Sequence, residues 1–361
     1  MKDDVFYMKL AIANAKAMKG QTSPNPLVGA VLVQNGDIVG IGAHLKAGGP
    51  HAEIHALQMA GEKAKGADMY VTLEPCTHHG KTGPCTEALI KSGVKRVFIA
   101  TKDPNPLVAG KGISLLKQAG IEVEEGLCKK EADRLNKPFF HLIQSDIPYV
   151  ILKSAISIDG KIATAQKESK WITGKEARED VQRLRQEADA VITGVETIIQ
   201  DDASLIVKDK LVAQPIRVIL DSTLRIPLQS KCLTDHMAET IICTSRTYDE
   251  KKYHQLVQKG YQVFVTNGVH RTDLYEVLKM LKERSIMSVL VEAGGSVSAS
   301  FLEASLVNEA VIYMAPILIG GQDAPTLFEG EGVKKLKEAI TPVEIEYSMV
   351  GKDLKMTMRF D

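Results

Sequence analysis

The sequence predicts an α/β protein with two domains. The chain has 361 residues, and domains usually contain about 100 to 200 residues. Stretches with the apolar pattern of strands alternate with stretches typical of helices in both halves, which indicates α/β folds. The segment 144–148, which reads Gln-Ser-Asp-Ile-Pro, interrupts this alternation. We therefore expect one domain over 1–145 and another over 146–361.

The N-terminal half opens with a predicted helix over 5–18, where apolar residues lie among alanines. Asn35-Gly36 is a strong hairpin signal and predicts two strands over 30–43. This alternation indicates an α/β sandwich. The other predicted helices cover 52–65, a short stretch near Cys85 and 112–119, the other predicted strands cover 69–73 and 96–100, and an amphipathic stretch covers 129–143.

The C-terminal half repeats the alternation with a new set of strands, which predicts a second sheet with its own core. A further apolar strand precedes Gly320-Gly321. The predicted strands cover 150–155, 190–193, 217–221, 240–244, 262–266 and 288–292, and the predicted helices cover 175–187, 272–283 and 297–305.

Composition and charge limit the classes of function. Hydrophobic residues make up 44% and charged residues 25% of the chain, as in ordinary globular proteins. Lys+Arg and Asp+Glu both number 45, which argues against a nucleic-acid partner because such proteins show a basic excess. No apolar run reaches the roughly 20 residues of a membrane helix. We expect a small-molecule substrate and neither nucleic acid nor a membrane.

The cysteines favour a reducing compartment. Cys128, Cys232 and Cys243 are isolated in the sequence, which predicts no disulfide framework. The first residues, 1–4, show no secretory signal. We therefore expect a cytoplasmic protein, and a homo-oligomer is an open alternative to a monomer.

The strongest functional signal combines His51 and Glu53 with Cys76 and Cys85, each cysteine preceded by a proline. One imidazole and two thiolates supply three ligands to zinc, and catalytic zinc sites leave the fourth position to water. Glu53 is placed to move protons for that water and not to bind the metal. Cys85 opens a predicted helix, whose positive end favours a thiolate.

Two alternatives concern the same residues. The segment 51–55, His-Ala-Glu-Ile-His, is weak as a metalloprotease motif, because those enzymes have Glu directly after the first His. His78 or His79 could close the zinc site, which would indicate a non-catalytic zinc-dependent binding protein.

Because residues two apart do not face each other in a regular helix, we expect His51 at a helix entrance and Pro50 in the first turn.

The zinc segment resembles the cytidine deaminase-like superfamily. The common spacing there is Cys-x-x-Cys, whereas eight residues separate Cys76 from Cys85. This longer insert, together with the segments 23–29, 42–44 and 103–106, resembles the bifunctional deaminase–reductases of riboflavin biosynthesis. The resemblance implies a pocket for a pyrimidine and a ribose phosphate, lined by Asn25, His44, Lys81, Asp103 and Asn105.

The C-terminal half resembles the reductase domain of the same family in the segments 149–153, 157–163 and 169–173. That domain is similar in fold to dihydrofolate reductase. Gly294-Gly295 follow an apolar strand and open a predicted helix, a place that suits a phosphate, although they do not form a Rossmann fingerprint. The resemblance implies that NADPH is bound by Ala155, Trp171, Thr197, Asp201, Ser222, Gly294, Gly295 and Ser296. It implies that the sugar phosphate is bound by Ser169, Arg185, Leu205, Lys208 and Glu292, with Lys153 as a catalytic residue close to the reacting carbon.

One segment departs from the family pattern. Ala203 stands where a proline is usual, and Lys208 stands where an arginine is usual. A lysine keeps the charge but lacks the bidentate fork that grips a phosphate. We expect either weaker binding of the sugar phosphate or compensation by another group.

The resemblance implies a bifunctional enzyme. Its first domain would deaminate 2,5-diamino-6-ribosylamino-4(3H)-pyrimidinone 5′-phosphate with a zinc-activated hydroxide. Its second domain would reduce the ribosyl group of the product to ribityl with NADPH. The alternative is a nucleoside or base deaminase with an inactive second domain, which a salt-sensitive affinity for nucleic acid would favour.

Overall fold

A computed structural model describes residues 3–77, 83–105, 109–209 and 211–360. The chain divides into two compact units, 1–145 and 146–361, and each contains one sheet. The predicted α/β fold of both halves is confirmed. Among the described residues, no helix combines the length and the apolar character that crossing a membrane requires.

The first unit is built around a five-stranded sheet. Its strands are β1 (Gly29–Gln34), β2 (Asp37–Ala43), β3 (Asp68–Val71), β4 (Arg96–Ile99) and β5 (Glu122–Glu125). Its helices are α1 (Asp4–Lys16), α2 (Ala52–Ala60), α3 (Cys85–Ser92), α4 (Lys111–Gln118), α5 (Lys129–Leu135) and α6 (Lys137–Gln144), and a 3-10 helix covers Gly61–Ala64. The strand order is β2-β1-β3-β4-β5. β1 is antiparallel to β2 and β3, and the remaining pairs are parallel.

Helices cover both faces of this sheet, which gives three layers. Alternate residues of a strand point to opposite faces, so Leu32 and Val31 of β1 belong to different apolar clusters. The cluster on one face includes residues of α2, α3 and α4, and the cluster on the other face includes residues of α1 and α5. The core of the unit therefore lies on both sides of β1, β3 and β4.

Helix α2 packs unusually close to β2 because the strand has two glycines on the contact face. A Cβ atom at Gly42 would lie 2.0 Å from the carbonyl oxygen of Ala52, and one at Gly40 would lie 2.2 Å from that of Ala56. Any side chain at these positions would push the helix away from the sheet. The glycines therefore set the position of the first turn of α2.

The second unit is built around a nine-stranded sheet. Its strands are β6 (Tyr149–Ser157), β7 (Ala190–Gly194), β8 (Ile216–Leu220), β9 (Thr240–Thr244), β10 (Gln262–Val265), β11 (Ser288–Val291), β12 (Glu309–Ala315), β13 (Glu344–Val350) and β14 (Asp353–Arg359). Its helices are α7 (Lys175–Glu187), α8 (Val195–Asp201), α9 (Lys231–Thr234), α10 (Glu250–Gln258), α11 (Leu274–Glu283) and α12 (Gly295–Glu303), and a 3-10 helix covers Leu336–Glu338.

The order in this sheet is β10-β9-β8-β7-β11-β6-β12-β14-β13. The strands from β10 to β12 are parallel, and β14 and β13 add an antiparallel edge. The chain order reverses where β11 enters between β7 and β6. Open parallel sheets bind ligands at the carboxyl ends of their strands, at such a reversal.

The structure corrects several predictions of secondary structure. The amphipathic stretch 129–143 is two helices, α5 and α6, because they are separated at Asn136, whose side chain bonds the N–H and the C=O of Leu27, both at 2.8 Å. Pro138 in the first turn of α6 also cannot donate the N–H that a continuous helix would need. Strands β5, β13 and β14 and helices α8, α9 and α10 were not predicted.

Candidate active sites

Three side chains of the first unit converge on one point. Nδ1 of His51 lies 3.2 Å from Sγ of Cys85 and 3.4 Å from Sγ of Cys76, and the three donor atoms lie within 4.8 Å of one another. Zn–N bonds of about 2.0 Å and Zn–S bonds of about 2.3 Å at tetrahedral angles place neighbouring nitrogen and sulfur donors roughly 3.5 Å apart. The three side chains therefore fit a zinc ion as they stand.

Two of these side chains lie at the start of a helix. His51 is the N-cap of α2 in an extended conformation, and Cys85 is the first residue of α3. The backbone N–H of Cys85 donates to Sγ of Cys76 at 3.4 Å, so the positive end of α3 faces a thiolate. Pro50 precedes the N-cap, and its predicted place in the first turn is wrong. The extended conformation of His51 is what turns its ring toward the cysteines.

The environment of the two sulfurs favours a bound cation. The Cys85 thiol and the His51 ring both hydrogen-bond to the sulfur of Cys76, and they lower the pKa of Cys76 to about 4. The pKa of Cys85 is raised, because its thiol donates to Cys76 and is buried. A zinc ion between the sulfurs favours the thiolate at both.

Glu53 is buried beside the metal ligands. It lies in the first turn of α2 and is 3% exposed. Its Oε2 atom has no hydrogen-bond partner among the described residues, and burial raises the pKa of Glu53 to about 7. A buried carboxyl group with such a pKa is suited to take up and return a proton near neutral pH.

His44 connects Asn25 to the residue before the first metal ligand. Its Nε2 lies 3.1 Å from Nδ2 of Asn25, and its Nδ1 lies 3.1 Å from the carbonyl oxygen of Pro50. Burial lowers the pKa of His44 and so favours the neutral ring, which donates to Pro50 and accepts from Asn25. Because His44 is 2% exposed, it lies behind Asn25 and supports it.

Asp103 and Asn105 lie in the loop after β4. Oδ1 of Asp103 accepts from the backbone N–H of Asn105 at 2.8 Å, which closes a local turn. Lys81, the predicted phosphate-binding residue, lies outside the described residues, as do His78 and His79. Sequence reasoning missed Glu74, whose position just before the Pro-Cys pair was the one signal available.

The second unit brings Lys153, Arg185 and Glu292 together. The β6–β11 register pairs Leu152 with Val291, so Lys153 and Glu292 are neighbours in the next position. Nζ of Lys153 lies 3.3 Å from Oε2 of Glu292, and Arg185 contacts both carboxylate oxygens at 2.5 and 3.1 Å. Burial opposes ionisation of Glu292, but the two cations lower its pKa to about 2. The carboxylate therefore holds both cations beside the carboxyl end of β11.

The predicted phosphate loop lies at the start of α12. Gly294 is the N-cap of α12 and has no side chain to occupy the first N–H groups, and a Cβ atom there would meet nothing within 4 Å. Gly295 is packed, because a Cβ atom there would lie 2.4 Å from the carbonyl oxygen of Thr326. Ser296 is exposed in the first turn. This helix end can accept an anion from the open side of Gly294.

One end of α8 lies close to this helix end, and the other end of α8 contacts the segment that carries Trp171. A Cβ atom at Gly194, the N-cap of α8, would lie 3.0 Å from a methyl group of Val297, so the starts of α8, which carries Thr197, and α12 are adjacent. Lys170 lies 3.2 Å from the carboxylate of Asp201. This ion pair brings the segment with Ser169 and Trp171 to the end of α8.

The remaining predicted residues have mixed environments. Trp171 is 68% exposed with the Arg178 guanidinium 4.7 Å from its ring centre, so it is not a core residue. Ser222 follows β8, and its Oγ accepts from the N–H of Thr272 at 3.0 Å. Ala155 is half-buried in β6.

Leu205 and Lys208 differ from each other in accessibility. Leu205 is 3% exposed and belongs to the apolar core, so its side chain packs inside the unit. Lys208 is exposed, and its N–H donates to Gln182 of α7 at 2.8 Å. Arg185, on the same helix, donates to the carbonyl oxygen of Ile206 at 3.2 Å. The segment therefore lies along α7 beside Arg185.

Comparison with known proteins identifies the family. The model of the cytidine and deoxycytidylate deaminase zinc-binding region matches residues 1–101, and the model of the RibD C-terminal domain matches residues 148–349. The riboflavin biosynthesis protein RibD of Bacillus amyloliquefaciens is 50% identical over 98% of this chain and 95% of its own length. The chain belongs to the RibD family. It is accordingly a bifunctional deaminase and reductase of riboflavin biosynthesis.

Solved structures of RibD proteins agree with this assignment. Acinetobacter baumannii RibD is 41% identical with a TM-score of 0.88, over 99% of this chain and 98% of that one. The Thermotoga maritima diaminohydroxyphosphoribosylaminopyrimidine deaminase/5-amino-6-(5-phosphoribosylamino)uracil reductase is 34% identical with a TM-score of 0.86, over 98% of each chain.

The family assignment settles the main alternatives. The bifunctional enzyme is supported over a single-activity nucleoside deaminase and over a non-catalytic zinc-binding protein. Zinc fits the deaminase domain of a RibD protein, and NADPH fits its reductase domain.

Proposed function

We propose that the first unit deaminates 2,5-diamino-6-ribosylamino-4(3H)-pyrimidinone 5′-phosphate, with His51, Cys76 and Cys85 as the zinc ligands and Glu53 as the proton carrier. The observation that carries this proposal is the three-donor cluster beside a buried carboxyl oxygen that has no hydrogen-bond partner among the described residues. A structural zinc site would use a fourth protein ligand. Glu53 instead provides an acid–base group for hydrolysis.

The chemistry of this unit divides between the metal and Glu53. When bound, zinc lowers the pKa of a water molecule toward neutrality and so supplies the nucleophile. Glu53 accepts the proton of that water at its buried Oε2. It then donates a proton to the amino group that leaves the pyrimidine as ammonia. Burial raises the pKa of Glu53, which favours uptake of the proton from water before it is passed to the leaving group.

The pyrimidine is positioned by Asn25, and the rest of the substrate by Asp103, Asn105 and Lys81. His44 holds the amide of Asn25 by the contact at 3.1 Å, which fixes the side that Asn25 presents to the ring. Amide and carboxylate groups suit the polar edges of a pyrimidine and a ribose. Lys81 supplies a charge for the phosphate.

The second unit reduces the ribosyl group of the deaminated product to ribityl. NADPH is bound at the start of α12, where Gly294 leaves backbone N–H groups open to a phosphate. The nicotinamide supplies a hydride, and a proton must accompany it. Lys153, held at the sheet edge by Glu292, lies close to the reacting carbon as the proton donor. Arg185, with Lys208 beside it, binds the sugar phosphate.

A product assay tests both activities. Zinc-loaded protein is incubated with the diaminopyrimidinone ribosyl phosphate, with and without NADPH, and the products are analysed by mass spectrometry. We expect a deaminated product without NADPH and a deaminated, reduced product with it. Deamination without reduction would contradict the reductase half, and no conversion would contradict the substrate assignment.

The protein works in the cytoplasm. It also forms a homo-oligomer through strand β13. Strand β13 is one of the two edges of the nine-stranded sheet and exposes Ile345, Tyr347 and Met349 on one face. An edge strand with exposed apolar residues is suited to pair with a second copy. Light scattering of the Tyr347→Lys variant tests this: we expect a smaller particle than the wild type, and an unchanged mass contradicts it.

A further inference from the structure

Glu74 is a buried carboxylate that the proposed chemistry does not use. It is 4% exposed and lies two residues before the zinc ligand Cys76. Its backbone N–H donates to the carbonyl oxygen of Thr101 at 3.0 Å. The pairing of β3 with β4 therefore continues to the residue that carries this carboxylate.

The side chain of Glu74 accepts hydrogen bonds from backbone N–H groups in the loop between β4 and α4 and in the first turn of α4. Oε2 accepts from Gly110 at 3.0 Å and from Asp103 at 3.3 Å. Oε1 accepts from Gly112 at 2.9 Å and from Ile113 at 3.4 Å. Bonds to a carboxylate are stronger than neutral ones, and buried donors without a partner are costly. One side chain thus fixes both ends of the loop between β4 and α4.

The start of α4 approaches the same point so closely that only glycine fits. A Cβ atom at Gly112 would lie 2.3 Å from the carbonyl oxygen of Pro75 and 3.2 Å from Oε1 of Glu74. A backbone oxygen cannot move aside as the end of a side chain can. A substitution at Gly112 is therefore an independent way to displace the same loop.

We propose that Glu74 is a positioning residue for substrate recognition in the deaminase. Its carboxylate holds the segment 103–105 in the conformation that contacts the pyrimidine ribosyl phosphate, next to the zinc ligands. The proposal rests on the proposed function, because it takes Asp103 and Asn105 as substrate contacts. The turn between these two residues is closed by a bond of 2.8 Å from the Asn105 N–H, so the directions of both side chains depend on the backbone that Glu74 holds.

A positioning role has a kinetic signature that a general structural role lacks. Among the described residues, the side-chain hydrogen bonds of Glu74 all go to the segment 103–113. Loss of these bonds displaces substrate contacts and leaves His51, Cys76, Cys85 and Glu53 in place. Substrate affinity therefore falls more than the rate of the bound complex.

The test measures ammonia release by the zinc-loaded chain against the concentration of the diaminopyrimidinone ribosyl phosphate. The variants are Glu74→Gln, in which an N–H₂ group faces the backbone donors, and Gly112→Ala. The control is Asp68→Asn, which breaks the 2.6 Å pair with Arg96 at the other end of β3. In both variants we expect KM to rise about tenfold, which corresponds to ~1.4 kcal/mol, while kcat changes little and the zinc content stays at the wild-type level. The control should keep the wild-type KM.

Two further measurements separate the outcomes. NADPH-dependent reduction by the same polypeptides shows that the second unit is intact, a wild-type zinc content shows that the first unit still holds its metal site, and faster hydrogen exchange of the amides in 103–113 in Glu74→Gln supports the tether. An unchanged KM in both variants overturns the inference, and so does a loss of zinc that parallels the loss of activity. Failure of the wild type to release ammonia instead overturns the proposed function, and the inference with it.

Discussion

At the scale of single residues, we expect deamination to depend on Glu53, the proposed proton carrier. In Glu53→Gln the size is kept and the carboxyl group is lost, so proton transfer fails while the metal ligands remain. We expect kcat for ammonia release to fall by about 10² to 10⁴, with zinc content unchanged by metal analysis. Reduction of the separately supplied deaminated intermediate should continue. Substantial residual deamination would remove Glu53 as the proton carrier.

Lys208 offers a gain-of-function test at the same scale. Its side chain is exposed, so an arginine can be accommodated without repacking. We expect Lys208→Arg to lower the reductase KM by about two- to fivefold, since one more exposed charge contact contributes ~1 kcal/mol or less. Lys208→Gln, the matched control, should raise KM, and steady-state NADPH oxidation measures both. A large loss of activity in Lys208→Arg would show that the lysine has a specific role of its own.

At the scale of elements, the zinc site depends on how closely α2 lies against β2. In Gly42→Ala the new Cβ atom would lie 2.0 Å from the Ala52 carbonyl oxygen, so the start of α2 must move and carry His51 with it. We expect weaker zinc binding and a loss of about 1–3 kcal/mol of stability, measured by metal titration and denaturant unfolding.

The control for this substitution is Gly36→Ala in the β1–β2 turn. Gly36 has φ +87° and open space around it, so alanine strains the turn without displacing α2. We expect Gly36→Ala to lose stability but to keep the zinc affinity of the wild type. Equal zinc affinity in the two variants would contradict the role assigned to the close packing.

The sequence predicted elements well where apolar pattern and turn chemistry agreed. The hairpin at Asn35-Gly36 and the strands of the two sheet centres are examples. It failed where tertiary contacts decide: β5 reads Glu-Val-Glu-Glu and carries almost no apolar pattern, and the break at Asn136 depends on bonds to Leu27, distant in sequence. Strand β13 is exposed on both faces, so burial left no alternation to read.

The sites show the same division. The predicted ligands His51, Cys76 and Cys85 are residue types that bind metals and that lie within a short stretch of sequence. The structure brings all three together. Glu74 was missed because its partners are backbone N–H groups, which any residue provides. The pairing of Glu292 with Lys153 and Arg185 depends on strand order, and the burial of Leu205 depends on core packing. Neither the pairing nor the burial can be predicted from a short stretch of sequence alone.

At the scale of the whole molecule, two chemistries occupy two units with separate cores, and only one of them needs a metal. Within the described parts of the chain, the only cluster suited to a metal is His51, Cys76 and Cys85, all in the first unit. Removal of zinc by a chelator should therefore abolish ammonia release while NADPH-dependent reduction of the deaminated intermediate continues.

Stability should follow the same division. A ligand that binds only the folded state stabilises it by about 2.7 kcal/mol when present at a hundred times its Kd. Chelation should thus lower the free energy of unfolding of the first unit and leave that of the second unit unchanged. Hydrogen exchange of the amides in each sheet measures the two units separately. Added zinc should restore both the stability of the first unit and ammonia release. Parallel loss of reduction after chelation would show instead that the metal supports both units, and that the reductase depends on the integrity of the deaminase.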